Sequence, residues 1–167
     1  MKFPEEFQNV QEIDSGKHGV VYKAIYQNKE VAIKVKNPKS HSQNTAILEA
    51  HYLEKVNLLG IGPKLILKTE DYVVMEFIDG ERIDRFIQNA SITDKKMVMQ
   101  KVLEQMEKLD KAGINKMEMT NPYKHIIIKS NLEPVLIDFE RARFNLKPQN
   151  ISQFKEYLKK HSLDISE

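Results

Sequence analysis

The chain has 167 residues, with 26 lysines and arginines against 24 aspartates and glutamates, and no cysteine. A net charge of +2 gathers no nucleic acid by long-range field, and without thiols there are no disulfides, thiolate zinc sites or cysteine nucleophiles. No apolar run approaches the ~20 residues of a bilayer span and the amino terminus does not read as a secretory signal, so a cytoplasmic protein with no membrane partner is expected.

Alternation predicts a strand over 9–14, a turn at Ser15-Gly16-Lys17-His18-Gly19 and a second strand over 20–26. Gln27-Asn28-Lys29 then closes a hairpin into a third strand over 30–36. In that strand Val31, Ile33 and Val35 face one way, and Ala32, Lys34 and Lys36 the other. A small residue beside an ammonium leaves room for a flat group over Ala32 while Lys34 reaches an anion. The plain alternative is the wet face of an ordinary strand. Gly16 and Gly19 let backbone N–H groups approach a phosphate with no Cβ in the way, or simply build a tight hairpin.

From Gln43 to Leu59 the spacing turns helical, with Ala46, Leu53 and Val56 near one face and Glu49 beside them. Gly60-Ile-Gly-Pro63 ends that helix, and two more strands follow over 64–68 and 72–77 around a Thr-Glu-Asp turn. A short helix is predicted over 82–88. Ser91 with Asp94 forms a capping box for a long helix reaching about Lys111, whose stripe Val98, Val102, Met106 and Leu109 is core. Beyond Gly113, Ile126-Ile-Ile128 and Pro134 onward read as two short strands framing a turn, ending at Asp138-Phe139-Glu140. One amphipathic helix carrying Ile151, Phe154 and Leu158 closes the chain.

The motifs Gly16-x-x-Gly19-x-Val21, Val31-Ala32-Ile33-Lys34, Glu49 on a helix, Val74-Met75-Glu76-Phe77-Ile78 and Asp138-Phe139 occur in the order found in protein kinases. The chain therefore resembles the protein-kinase-like superfamily over nearly its whole length. It looks closest to small atypical microbial, archaeal-type Ser/Thr kinase-like proteins, distantly akin to the RIO group. The resemblance implies an α+β, minimal two-lobed kinase-like fold. Residues 1–79 would form a five-stranded antiparallel N-lobe with one helix, and residues 80–167 a reduced, mostly helical C-lobe. It implies ATP and Mg²⁺ or Mn²⁺ as ligands, and a protein substrate or partner.

On the same resemblance, Gly16, Gly19, Val21 and Ala32 would cover the nucleotide and Ile127 would floor it. Met75 would be the gatekeeper, and the backbones of Glu76 and Ile78 would hold adenine. Glu49, with Glu54 as the alternative, would pair with Lys34 to aim it at phosphate. Asp138 would bind the metal, unless it merely caps a turn. The chain departs from the family at several points. Asp14 stands where the first glycine belongs, Lys116-Met117-Glu118 replaces His-Arg-Asp, and Thr120 replaces the usual lysine. Glu118 is thus the expected proton acceptor. His125 takes the place of the metal-binding asparagine if two residues are inserted, which favours Mn²⁺. Glu140 replaces the glycine after Asp-Phe and supplies a second metal carboxylate, or else forms a salt bridge to Arg141 or Arg143. The expected activity is ATP-dependent phosphoryl transfer to Ser/Thr hydroxyls, or ATP hydrolysis. The alternatives are a nucleotide-binding pseudokinase that serves as an interaction module and, third, a small-molecule kinase.

Overall fold

The computed structural model describes residues 2–16, 19–36 and 45–163. Within them the chain is α+β, with a five-stranded antiparallel sheet and four helices. The strands β1 (Gln8–Ser15), β2 (Gly19–Tyr26) and β3 (Lys29–Lys36) form a meander, followed by α1 (Thr45–Asn57), β4 (Leu65–Lys68) and β5 (Tyr72–Glu76). Their order across the sheet is β1-β2-β3-β5-β4. Tyr26 pairs with Lys29, so Gln27 and Asn28 make a two-residue hairpin, and both have the positive φ (49° and 61°) that matches the strand twist. The expected helix over 43–59 is realised as α1, and its first two expected residues, like Lys17 and His18 of the glycine turn, lie outside the described residues.

The central strands β3 and β5 are covered on both faces, and β3 shows why its residues alternate. Val31, Ile33 and Val35 join Phe7, Ala24 and Val74 in one apolar cluster, closed by Phe3 and the Tyr22, Tyr26 and Tyr72 rings. On the other face Ala32 and Met75 belong to a larger core built on α1 and the later helices.

The second half contains β6 (Glu81–Arg82), α2 (Ile83–Asn89), α3 (Ile92–Lys111), β7 (Ile114–Asn115), β8 (Ile126–Ile128), β9 (Pro134–Leu136), β10 (Arg143–Phe144) and α4 (Asn150–Lys160). Ser91 caps α3 by accepting the Asp94 N–H. The Asp94 carboxylate bonds the Ser91 hydroxyl rather than its N–H, so the box is half formed. Val98, Val102, Met106 and Leu109 are fully buried, as their spacing predicts. Strands β6, β7 and β10 were not expected. Each has two residues, too short to show a period, and they pair as β6-β8-β9 and β10-β7. At Gly80 a Cβ would run into the Ile128 carbonyl, so only glycine lets the segment after β5 lie against β8.

Candidate active site

A cleft of ≈ 390 Å³ lies between the sheet and the β8–β9 unit, a size that suits a small ligand. The sheet contributes Gly16, Gly19, Val21, Ala32 and Lys34. Opposite them stand Ile127, Ile137, Asp138 and Glu140, and Met75, Glu76 and Ile78 form the edge that joins the two sides. Val21 pairs with Lys34 and Ala32 with Met75 across the sheet, so an apolar slot runs alongside the ammonium. Gly19 crosses Lys34 closely, since a Cβ there would meet the lysine Cε at 3.4 Å. Ile78 is buried, and among the described residues its N–H donates to no acceptor.

Lys34 is the centre of the site. Its Nζ stands 2.7 Å from Asp138 Oδ1, 2.9 Å from Glu140 Oε2 and 3.1 Å from Glu49 Oε2. Glu49 is 1 % exposed, and its other oxygen accepts the Phe139 N–H at 2.9 Å. Glu54, the alternative partner, lies on the outside of α1 and pairs with Lys68. Glu140 makes no side-chain contact with either arginine considered for it. Arg141 turns to Glu118, and Arg143 donates to the Glu140 backbone carbonyl. The pull of Lys34 explains the outcome, because burial makes a carboxylate seek the nearest buried cation.

Three carboxylates surround one ammonium, so the cluster carries a surplus of acidic groups. Burial alone would lower the Lys34 pKa, but Glu49, Asp138 and Glu140 together more than offset it and raise it. Burial also raises Glu49, against the pull of Lys34. For Asp138, Lys34 and Lys116 outweigh the upward push of burial and hold the carboxyl at about 2. Oxygens of Glu49, Asp138 and Glu140 all lie within 4.8 Å of one another, an all-oxygen donor set of the hard kind that Mg²⁺ and Mn²⁺ take. Glu140 Oε2 is buried and, beyond its ion pair with Lys34, has no hydrogen-bond partner, so it retains capacity for a cation.

Glu118 and His125 do not line the cleft; they lie beside it. Met117 and Glu118 both adopt left-handed backbone (φ 72° and 63°), as does Asp138 (φ 63°), a conformation that costs a non-glycine residue energy and collects at functional sites. Glu118 Oε2 stands 3.1 Å from His125 Nε2, and Oε1 stands 2.5 Å from Arg141 Nη1. His125 was expected among the metal ligands, yet the converging oxygens do not include it, and its Nε2 is directed at Glu118. Its other nitrogen, Nδ1, faces the Lys116 ammonium at 3.5 Å.

Lys116 was not expected in any role beyond replacing a histidine. It is 1 % exposed, donates to the Asp138 backbone carbonyl at 2.8 Å, and lies over the Phe139 ring. Burial pushes it down to about 8, and burial followed by the Lys116 charge pushes His125 down to about 4. Asn150 was missed as well. It is fully buried, accepts the Lys116 N–H at 2.8 Å, and donates to the Ile114 carbonyl and to Asp110. It thereby ties α4 and α3 to the segment that carries Glu118. Arg82 and Lys124 also line the cleft, and Arg82 reaches Asp14 at 3.4 Å across its mouth. No short-range signal marks any of these residues, since their partners lie far off in sequence.

No family model matches the chain, and no curated protein is similar to it. No described helix is long and apolar enough to cross a membrane.

Proposed function

We propose that the chain is a minimal, two-lobed, protein-kinase-like phosphotransferase that takes ATP in the cleft, with residues 1–79 as the N-lobe and 80–167 as the C-lobe. One observation carries this reading: Lys34 from the sheet and Asp138 from the β9 end meet at 2.7 Å inside one cleft, with Glu49 behind them. A cation for phosphate and a carboxylate for a metal ion are needed at one spot for phosphoryl transfer. Adenine would lie between Ala32 and Ile127, bonded to the Glu76 carbonyl and the Ile78 N–H. Asp138 and Glu140 would hold Mg²⁺ or Mn²⁺, which supplies charge neutralisation at the phosphates. Glu118 would accept the proton of a Ser/Thr hydroxyl or of water.

The test is thermal unfolding with ATP alone and with Mg²⁺ or Mn²⁺, together with transfer of labelled phosphate. ATP at a hundredfold excess over its dissociation constant should stabilise by about 2.7 kcal/mol. Lys34→Ala and Asp138→Asn should abolish transfer. A second reading, a nucleotide-binding interaction module without turnover, is favoured by the engagement of both Glu118 oxygens. ATP binding with no transfer by the unaltered protein selects it.

A further inference from the structure

The buried side chains beside the cleft have a polarity that sets their hydrogens. A carboxylate accepts and an ammonium donates, so Glu118 Oε2 at 3.1 Å from Nε2 and Lys116 Nζ at 3.5 Å from Nδ1 both suit a ring with its lone pair on Nδ1. The imidazole hydrogen is then on Nε2, and Glu118 Oε2, 3.1 Å away, accepts it. His125 is buried and Glu118 is 34 % exposed on its side chain, so the ring is anchored while the carboxylate still reaches solvent. Neither ring nitrogen is available to a metal ion: one carries hydrogen and the other faces a cation.

We propose that His125 is the positioning residue of the Glu118 proton acceptor and not a metal ligand, with buried Lys116 setting its tautomer. The proposal rests on the phosphotransferase reading and assigns the division of labour within that site. Oxygen of the acceptor hydroxyl (or water) forms a bond to the γ-phosphorus, and the bond from that phosphorus to the β–γ bridging oxygen breaks. ADP leaves with the bonding pair, and the acceptor's proton goes to a Glu118 oxygen. Glu118 has one methylene more than aspartate and so one more rotatable bond. Its left-handed backbone and the His125 bond together restrict where its carboxylate can be. Arg141 holds the other oxygen from a largely exposed position, so it can yield to an acceptor while His125 stays.

Two substitutions separate positioning from metal binding. Gln places its amide N–H₂ near the Nε2 position, whereas Asn is shorter and supplies an oxygen ligand of the kind Mg²⁺ prefers. ADP release from ATP is measured over Mg²⁺ and Mn²⁺ titrations, with Mn²⁺ affinity followed independently by its electron paramagnetic resonance signal. His125→Ala and His125→Asn should lose kcat by about 10²-fold, the scale of a misplaced catalytic group, with Mn²⁺ affinity unchanged. His125→Gln should recover to within about threefold of the parent, a difference under 1 kcal/mol in the barrier. Histidine labelled with ¹⁵N in the unaltered protein should show His125 as the Nε2–H tautomer, a readout independent of turnover.

Recovery by Asn rather than Gln, a weakened Mn²⁺ affinity in His125→Ala, or an Nδ1–H tautomer would overturn the proposal while leaving the phosphotransferase reading intact. An unaltered protein that binds ATP but never releases ADP overturns both.

Discussion

The Phe139 N–H donates to Glu49 Oε1 at 2.9 Å, across 90 residues of sequence, while Glu49 Oε2 takes Lys34 at 3.1 Å. One carboxylate thus ties α1, β3 and the segment after β9 together. Glu49→Ala removes one of the three carboxylates around a buried lysine and leaves the Phe139 N–H without its acceptor, at a cost of about 1–3 kcal/mol for that unpaired group. Glu49→Gln keeps an acceptor for Phe139 and should cost clearly less. Urea unfolding of the two variants measures the difference, and equal losses would mean that the Phe139 bond contributes nothing.

Lys34→Met leaves Glu49, Asp138 and Glu140 around a space with no cation. Breaking a buried ion network from one side should destabilise by about 3–5 kcal/mol. Millimolar Mn²⁺ should restore part of that loss, because three carboxylates within 4.8 Å then have a cation to share. A melting temperature that Mn²⁺ leaves unmoved would remove these carboxylates as a metal-holding set. Glu140→Gln should weaken the metal-dependent part of ATP affinity by about tenfold, or 1.4 kcal/mol, and spare the metal-free part.

Glycine matters to stability where the chain crosses β8 and not at the mouth of the cleft. Gly80→Ala forces a Cβ into the Ile128 backbone and should destabilise by about 2 kcal/mol or more, since backbone cannot step aside as a side chain can. Among the described residues a Cβ at Gly16 comes no nearer than 3.7 Å, to the Gly19 carbonyl, so Gly16→Ala should leave stability within about 0.5 kcal/mol. Chemical denaturation of both variants checks the contrast.

His125 gives the protein a distinct acid limb. Burial, then the Lys116 charge, lowers its pKa from 6.5 to about 4. The unfolded chain therefore binds a proton that the folded chain refuses, between pH 6.5 and about 4. Its stabilising effect is complete above pH 6.5 and declines on acidification by about 1.4 kcal/mol per pH unit through that window. His125→Gln should flatten that limb. Urea midpoints collected from pH 7 to 4 on both proteins test it.

Asn150 supports the site from a distance. Asn150→Ala leaves the buried Lys116 N–H and Ile114 carbonyl without partners, and each unpaired group costs about 1–3 kcal/mol. Any loss of ATP turnover should exceed what a matched destabilisation elsewhere, such as Leu158→Ala in α4, produces. Activity measured well below both melting temperatures separates the two effects.

Periodicity alone was enough for the meander, α1, α3 and α4, because a half-buried strand or helix must repeat its apolar residues every two or every 3.6 positions. The local order of glycines, Lys34, Glu49 and Asp138 is readable in the sequence, as each sits at a fixed place within its own element, and these residues line one cleft. What local pattern could not determine was the choice of partner. Glu140 had arginines within three positions and pairs instead with Lys34, 106 positions earlier by their residue numbers. His125 carries the same imidazole whether it holds a metal or a carboxylate, and only the approach of Lys116 and Glu118 from either side decides between them. A buried charge takes the best counter-charge that folding brings within about 3–4 Å, and that distance is a property of the packed chain rather than of any stretch of it.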